Sequence, residues 1–142
     1  MQKNDYSYVQ KVDYLLRYQE LEEKKQELRL EVEKWETYGA GVKSSSDQDG
    51  MPHGSAVSSK VEKAGIKCAE LQKKIENVEK EQAEIKAYID TLNKPRYRLI
   101  LTMRYVQGKK IQHIATELKE TPLSIRKAHH RAVNEIQIKK TE

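Results

Sequence analysis

Apolar residues in the first part of the chain recur in steps of three and four, not two. Tyr14, Tyr18, Leu21, Lys25, Leu28, Val32 and Trp35 keep that alternation, with Lys25 as the polar break. This is the seven-residue repeat of helices that pair along a narrow seam. No Gly or Pro interrupts the chain between Tyr6 and Tyr38, and Glu, Lys, Gln and Leu dominate it. The pattern predicts a helix over about 6–38. The stretch "GAGVKSSSDQDGMPHGSAVSS", Gly39 to Ser59, then loses the periodicity and fills with Gly, Ser and Asp around Pro52. It predicts a mobile loop over 39–59.

From about Lys60 to Leu92 the alternation returns more cleanly. Val61, Ala64, Cys68, Leu71, Ile75, Val78, Gln82, Ile85, Ile89 and Leu92 hold it, and only Gln82 is frankly polar. Two helices of similar length joined by a loop predict an antiparallel coiled-coil hairpin, although the same seams serve equally well for pairing between subunits. Pro95 disfavours helix at Lys94 and ends the second helix there. Beyond it, Tyr97, Ile100, Leu101 and Tyr105 form one apolar stripe that stops at Gly108, a natural C-terminal cap. Ile111, Ile114, Ala115 and Leu118 form a second stripe. Thr121 and Pro122 then mark the start of a third helix as N-cap and first helical residue. The fold class expected is all-α: a long antiparallel helical hairpin over 1–93, then a short helical module over 94–142.

Composition sharpens this picture. Charged residues make up 35% of the chain and aromatic residues 6%, too polar for a large spherical core but suited to helices burying narrow stripes. Residues 1–93 hold 15 basic and 18 acidic side chains, whereas residues 94–142 hold 12 basic and 4 acidic, so the excess positive charge lies in the C-terminal module. That asymmetry points to a polyanion as partner. The single cysteine, Cys68, fits a reducing compartment. With no apolar run long enough for a signal peptide or membrane span, the expected location is the cytoplasm, with no membrane partner.

Two short helices joined by a tight turn, the second one basic, make the pattern of a helix–turn–helix. Ile114, Ala115 and Leu118 face Ile125, Ala128 and Ala132 across it, with the small Ala115 at the crossing. The segment "LILTMRYVQGKKIQHIATELKETPLSIRKAHHRAVNEI", Leu99 to Ile136, resembles region 4 of bacterial sigma factors. It is more similar still to phage-encoded regulators with a sigma-region-4-like C-terminus, the late-gene regulators of the RinA and ArpU type. The likeness extends back to the "GMP-GS" stretch at Gly50–Ser55 and includes the "LxxRY" of Leu101–Tyr105 and the "H-x-x-A" of His129–Ala132. It implies a non-enzymatic, DNA-binding transcriptional regulator in the host cytoplasm, close to the nucleoid. One departure stands out: Lys119 and Glu120 occupy the turn where the family usually carries a Gly and an apolar residue.

Helical geometry divides residues 121–136 into two faces, since each residue turns about 100°. Ile125, Ala128, His129, Ala132, Val133 and Ile136 form the packed face. Leu123, Arg126, Lys127, His130, Arg131 and Asn134 lie opposite, flanked by Ser124. The resemblance implies that Pro122, Leu123, Arg126 and Lys127 stand at groove-reading positions and Arg131 at a backbone-contacting one. Arg126 or Lys127 would then pair with guanine and Leu123 with a thymine methyl. His130 and Arg131 are expected at phosphate, with Lys109 and Lys110 as further anchors.

Other chemistries find less support. His129 and His130 are consecutive and diverge by about 100°, so a helix cannot easily aim both at one metal ion. His113 is expected at the surface, and His53 lies in the loop. No nucleophile–base set or paired acids suggest an enzyme, and no cofactor is expected. Tyr14, Tyr18 and Trp35 at heptad spacing read as seam before ligand box. The expected partners are double-stranded DNA, a second copy of the chain through the coiled coil, and, by the sigma resemblance alone, RNA polymerase. A small-terminase-like DNA-packaging subunit and a coiled-coil scaffold or adaptor remain the alternatives. Ring-sized assemblies would favour the first and failure to bind DNA the second.

Overall fold

The computed structural model describes residues 6–40 and 54–139 and is all-helical over them. Five α-helices follow in order: α1 (Tyr8–Gly39), α2 (Gly54–Asp90), α3 (Pro95–Leu101), α4 (Ile111–Leu118) and α5 (Pro122–Glu135), with a π-helical turn, Thr102–Val106, continuing α3. No described helix is long and apolar enough to cross a membrane. The two long helices pack together. By compactness the chain falls into two units, one of residues 1–22 with 80–142 and the other of residues 23–79.

In the second unit the helices run antiparallel. Lys60 lies over the Tyr38 ring, Lys67 over Trp35, and the Cys68 thiol reaches the Val32 carbonyl. Leu28, Val32, Ala64, Leu71, Ile75 and Val78 are buried along the seam. Gly39 ends α1 against Ala64, where an added Cβ would stand 2.6 Å from the Ala64 Cβ. Val61, expected in the seam, is 54% exposed. It sits nearly one turn before Ala64, where α1 has already met its last glycine and the seam ends.

The predicted loop also needs correcting. Helix α2 begins at Gly54, so residues 54–59 are helical rather than loop. Each Ser or Val costs a helix only a few tenths of a kcal/mol relative to Ala, too little to stop one already held by its downstream seam. Gly39, also expected in the loop, is the last residue of α1. Residues 41–53 of the expected loop, with Pro52 and His53, lie outside the described residues, as does most of the "GMP-GS" stretch.

The first unit joins the start of α1 and the end of α2 to the basic C-terminal segment. Leu15, Ile85, Ile89, Ile100, Leu101, Tyr105, Ile114, Ile125 and Val133 are fully buried in it. Gln82, the polar member of the α2 seam, is 3% exposed and donates to the Tyr18 carbonyl and to Glu22 Oε1 at 2.9 Å. Arg98 turns back to the Leu92 carbonyl at 2.6 Å, fixing the corner between α2 and α3. Tyr97, Ile100, Leu101 and Tyr105 form the buried stripe the sequence suggests, but not on one regular helix. The backbone widens after Leu101, with Gln107 N–H donating to the Thr102 carbonyl five residues back. Gly108 closes the turn at φ +72, and Gln19 of α1 donates to the Tyr105 and Val106 carbonyls there.

Candidate nucleic-acid interface

Helix α5 packs against α3 and α4. Its start is well defined: Thr121 is extended and its hydroxyl accepts from Ser124 N–H at 3.1 Å, with Pro122 at the first helical position. Ile125, Ala132, Val133 and Ile136 are 0% exposed and Ala128 6%. Leu123, Arg126, Lys127, His130, Arg131 and Asn134 are all exposed, with Ser124 half-buried between the faces. The two-faced division that a 100° step dictates is therefore the one that burial shows.

The turn into α5 explains the unusual Lys119–Glu120 pair. Lys119 is the single non-glycine residue with positive φ among those described, at φ 58 and ψ 46. Its N–H donates to the Thr116 carbonyl, and Glu120 N–H donates to the Ala115 carbonyl. This crossed pair closes a helix C-terminus with one residue in the left-handed region, a place glycine fills without strain. Glu120, where an apolar contact is usual, instead receives Arg96 through both terminal guanidinium nitrogens, Nη1 and Nη2, at 2.5 and 2.7 Å and the Ser124 hydroxyl at 2.9 Å. These donors pull its carboxyl down to about 2. An ionic clip spanning α3, the turn and α5 thus stands in for the apolar one.

His129 points inward, and its Nε2 lies 2.7 Å from the Tyr105 hydroxyl. Burial, with Arg104 and His130 nearby, pulls its pKa down to about 4, while burial pushes the Tyr105 phenol up to about 12. At neutral pH both groups are uncharged, and phenol and imidazole share one hydrogen bond whose direction is set by the ring tautomer. His130 faces outward and lies against the Tyr8 ring, centroids 4.6 Å apart. Lys11, only 7% exposed, sends its ammonium to the Asn134 carbonyl at 3.1 Å, placing a cation at the C-terminal end of α5. The first turn of α1 thereby grips the far end of the exposed face, a role that the sequence of α1 did not signal.

The predicted residues separate by their partners. Arg126, Lys127 and Arg131 form no ion pair among the described residues. Lys109 donates to both carboxylate oxygens of Glu117 at 2.8 and 3.0 Å, so its charge is already matched within the fold; Lys110, exposed, precedes α4. His113 is exposed and pairs with Glu117 at 3.3 Å. Lys94 and Arg96, which the sequence reading did not select, join Lys127 and Arg131 around a cleft of about 250 Å³ floored by Tyr97 and Ala128. The signal for them was present, as cations flanking Pro95 at the start of the basic segment. No group of His, Cys, Asp and Glu side chains among the described residues is arranged to hold a metal ion. Comparison of the chain with protein-family models, curated proteins and solved structures yields no match.

Proposed function

We propose that this protein is a DNA-binding transcriptional regulator of phage type whose α4–turn–α5 segment acts as a helix–turn–helix. The observation that carries this reading is the exposed face of α5. Arg126, Lys127 and Arg131 project from a helix whose opposite face is packed through Ile125, Ala128, Ala132 and Val133, and the helix carries one acid, Glu135, at its last position. A rigid helix with unmatched cations and an exposed Leu123 near its start suits insertion into a major groove. Arg126 and Lys127 then meet base edges, Leu123 a thymine methyl, and Arg131 and His130 the backbone. Pro122, Ser124, Asn134 and Lys110 border that surface, and Lys109 serves the fold through Glu117 instead. The long helices bring two copies together or contact RNA polymerase. Neither their packing nor the resemblance of the C-terminal segment calls for a cofactor or an enzymatic step.

The test is fluorescence anisotropy of the full chain with duplexes from its genomic neighbourhood across a salt series. Genuine readout predicts a sequence preference that Arg126→Ala and Lys127→Ala relax, each by about 1–3 kcal/mol at the preferred site. Equal affinity of wild type and both variants for every duplex would sink the readout. Arg131→Ala should weaken all duplexes alike and reduce the salt slope by about one. Light scattering of the free protein separates a dimer, expected of a regulator, from a ring-sized packaging assembly.

A further inference from the structure

The cleft between the start of α3 and the exposed side of α5 gathers Lys94, Arg96, Lys127 and Arg131, with no acid in its walls. Three of the four, Lys94, Lys127 and Arg131, have no carboxylate partner among the described residues. Lys94 is oriented by the Tyr97 ring, 5.0 Å from its ammonium. The fourth, Arg96, is already paired through both terminal nitrogens with Glu120, which lies outside the cleft lining.

We infer that this cleft seats one backbone phosphate of DNA on Lys94 and Arg131, at the edge that Lys127 shares with the base-reading face, and that Glu120 offsets the charge of Arg96 so that non-specific binding stays weak. The inference rests on the DNA-binding reading above and adds two residues to it, one attractive and one restraining. A volume of about 250 Å³ accommodates a phosphate group with attendant water. A bidentate carboxylate is the internal equivalent of a bidentate phosphate on arginine, so Glu120 occupies the donors that a phosphate would otherwise take.

Stability alone gives a weak account of that carboxylate. The side chains of Arg96 and Glu120 are 42% and 29% exposed, and ion pairs so open to water add little to a fold. What the carboxylate changes is the set of cations left open to a phosphate at the cleft. Non-specific affinity comes almost wholly from cations on phosphates, and selectivity is the ratio of specific to non-specific binding. A carboxylate that removes one cation from the phosphate surface, while leaving Arg126 and Lys127 free to meet bases, raises that ratio.

The test is anisotropy with a mixed-sequence duplex and with the preferred duplex, each across a potassium chloride series. Lys94→Ala, exposed and remote from the packed face, should weaken both duplexes equally and lower the salt slope by about one. Glu120→Gln should tighten both, by about 3- to 10-fold at low salt, and steepen the slope by about one. Arg96→Ala should be nearly silent in wild type but erase the gain in the Glu120→Gln background, a coupling that a purely structural clip would not produce. Urea midpoints identify the folded variants. Folded Glu120→Gln that binds no tighter than wild type overturns the restraint, and an unchanged salt slope for Lys94→Ala overturns the phosphate seat. Either result alongside an intact sequence preference leaves the DNA-binding reading standing, whereas a wild-type protein that binds no duplex overturns both.

Discussion

Acid should loosen the C-terminal unit through a single ring. His129 is held neutral against Tyr105, its pKa pulled down to about 4 by burial and by neighbouring Arg104 and His130. An unfolded histidine titrates near 6.5. Because the folded value lies below the unfolded one, the unfolded chain takes up the proton first as pH falls. The stability contributed by the neutral ring is therefore complete above about pH 6.5, and it is lost as pH falls towards 4. A separation of about 2.5 units sets a ceiling of about 3.4 kcal/mol. The ring is half-buried rather than sealed, and solvent screening reduces the expected loss to about 2 kcal/mol. The assay is urea unfolding followed by circular dichroism at pH 7, 6, 5 and 4.5, comparing wild type with His129→Gln, which can still hydrogen-bond the phenol but cannot titrate. Glu120 lies outside the window, since a carboxyl near 2 gives up its contribution only below the usual carboxylate range, about pH 4.5. Parallel pH profiles for the two proteins would refute the linkage.

Four further substitutions probe the same physics. Tyr105→Phe leaves Nε2 of His129 without its hydrogen-bond partner and should cost about 1–3 kcal/mol in urea titrations, whereas a neutral outcome would mean that water replaces the phenol. Lys119→Gly relieves a left-handed backbone that costs an L-residue about 1–2 kcal/mol; after the added freedom of the unfolded chain, a rise of about 0.5–1 kcal/mol is expected, and a loss would contradict the strain argument. Thr121→Ala removes the acceptor of Ser124 N–H and should lower thermal stability by about 1 kcal/mol. Gln82→Leu exchanges a buried amide for an apolar seam residue and should stabilise the chain by about 1 kcal/mol; destabilisation would show that the bond to Glu22 outweighs burial.

Residues that form a periodic face were legible from sequence because their burial depends on neighbours three and four positions away. The α2 seam from Ala64 to Leu92 and the packed face of α5 needed no knowledge of tertiary structure. Where a seam begins and ends was less legible, as Val61 and the early start at Gly54 show, because that depends on where the partner helix stops. Burial of Lys11 was not legible at all. A lysine in a first helical turn reads as surface, and its contact with Asn134 lies 123 residues away. The π-widened turn after Leu101 was equally hidden, since it shifts the stripe without breaking it.

The candidate site shows the same division, with a consequence for its mechanism. Which cations share the exposed face of α5 follows from helical geometry, but which of them are free follows from the positions of the acids. In residues 94–139 the acids are Glu117, Glu120 and Glu135. Glu117 takes Lys109 and Glu120 takes Arg96, pairs whose members lie 8 and 24 residues apart. Charge counted along the chain treats all basic residues of this segment as equivalent. The fold makes them unequal, matching Lys109 before α4 and Arg96 on α3 with acids and leaving Arg126, Lys127 and Arg131 as the unmatched set on α5. The Lys119–Glu120 turn is central to that selection. An apolar residue at position 120 would remove the carboxylate and release Arg96, adding a fourth unmatched cation to the cleft beside the exposed face of α5.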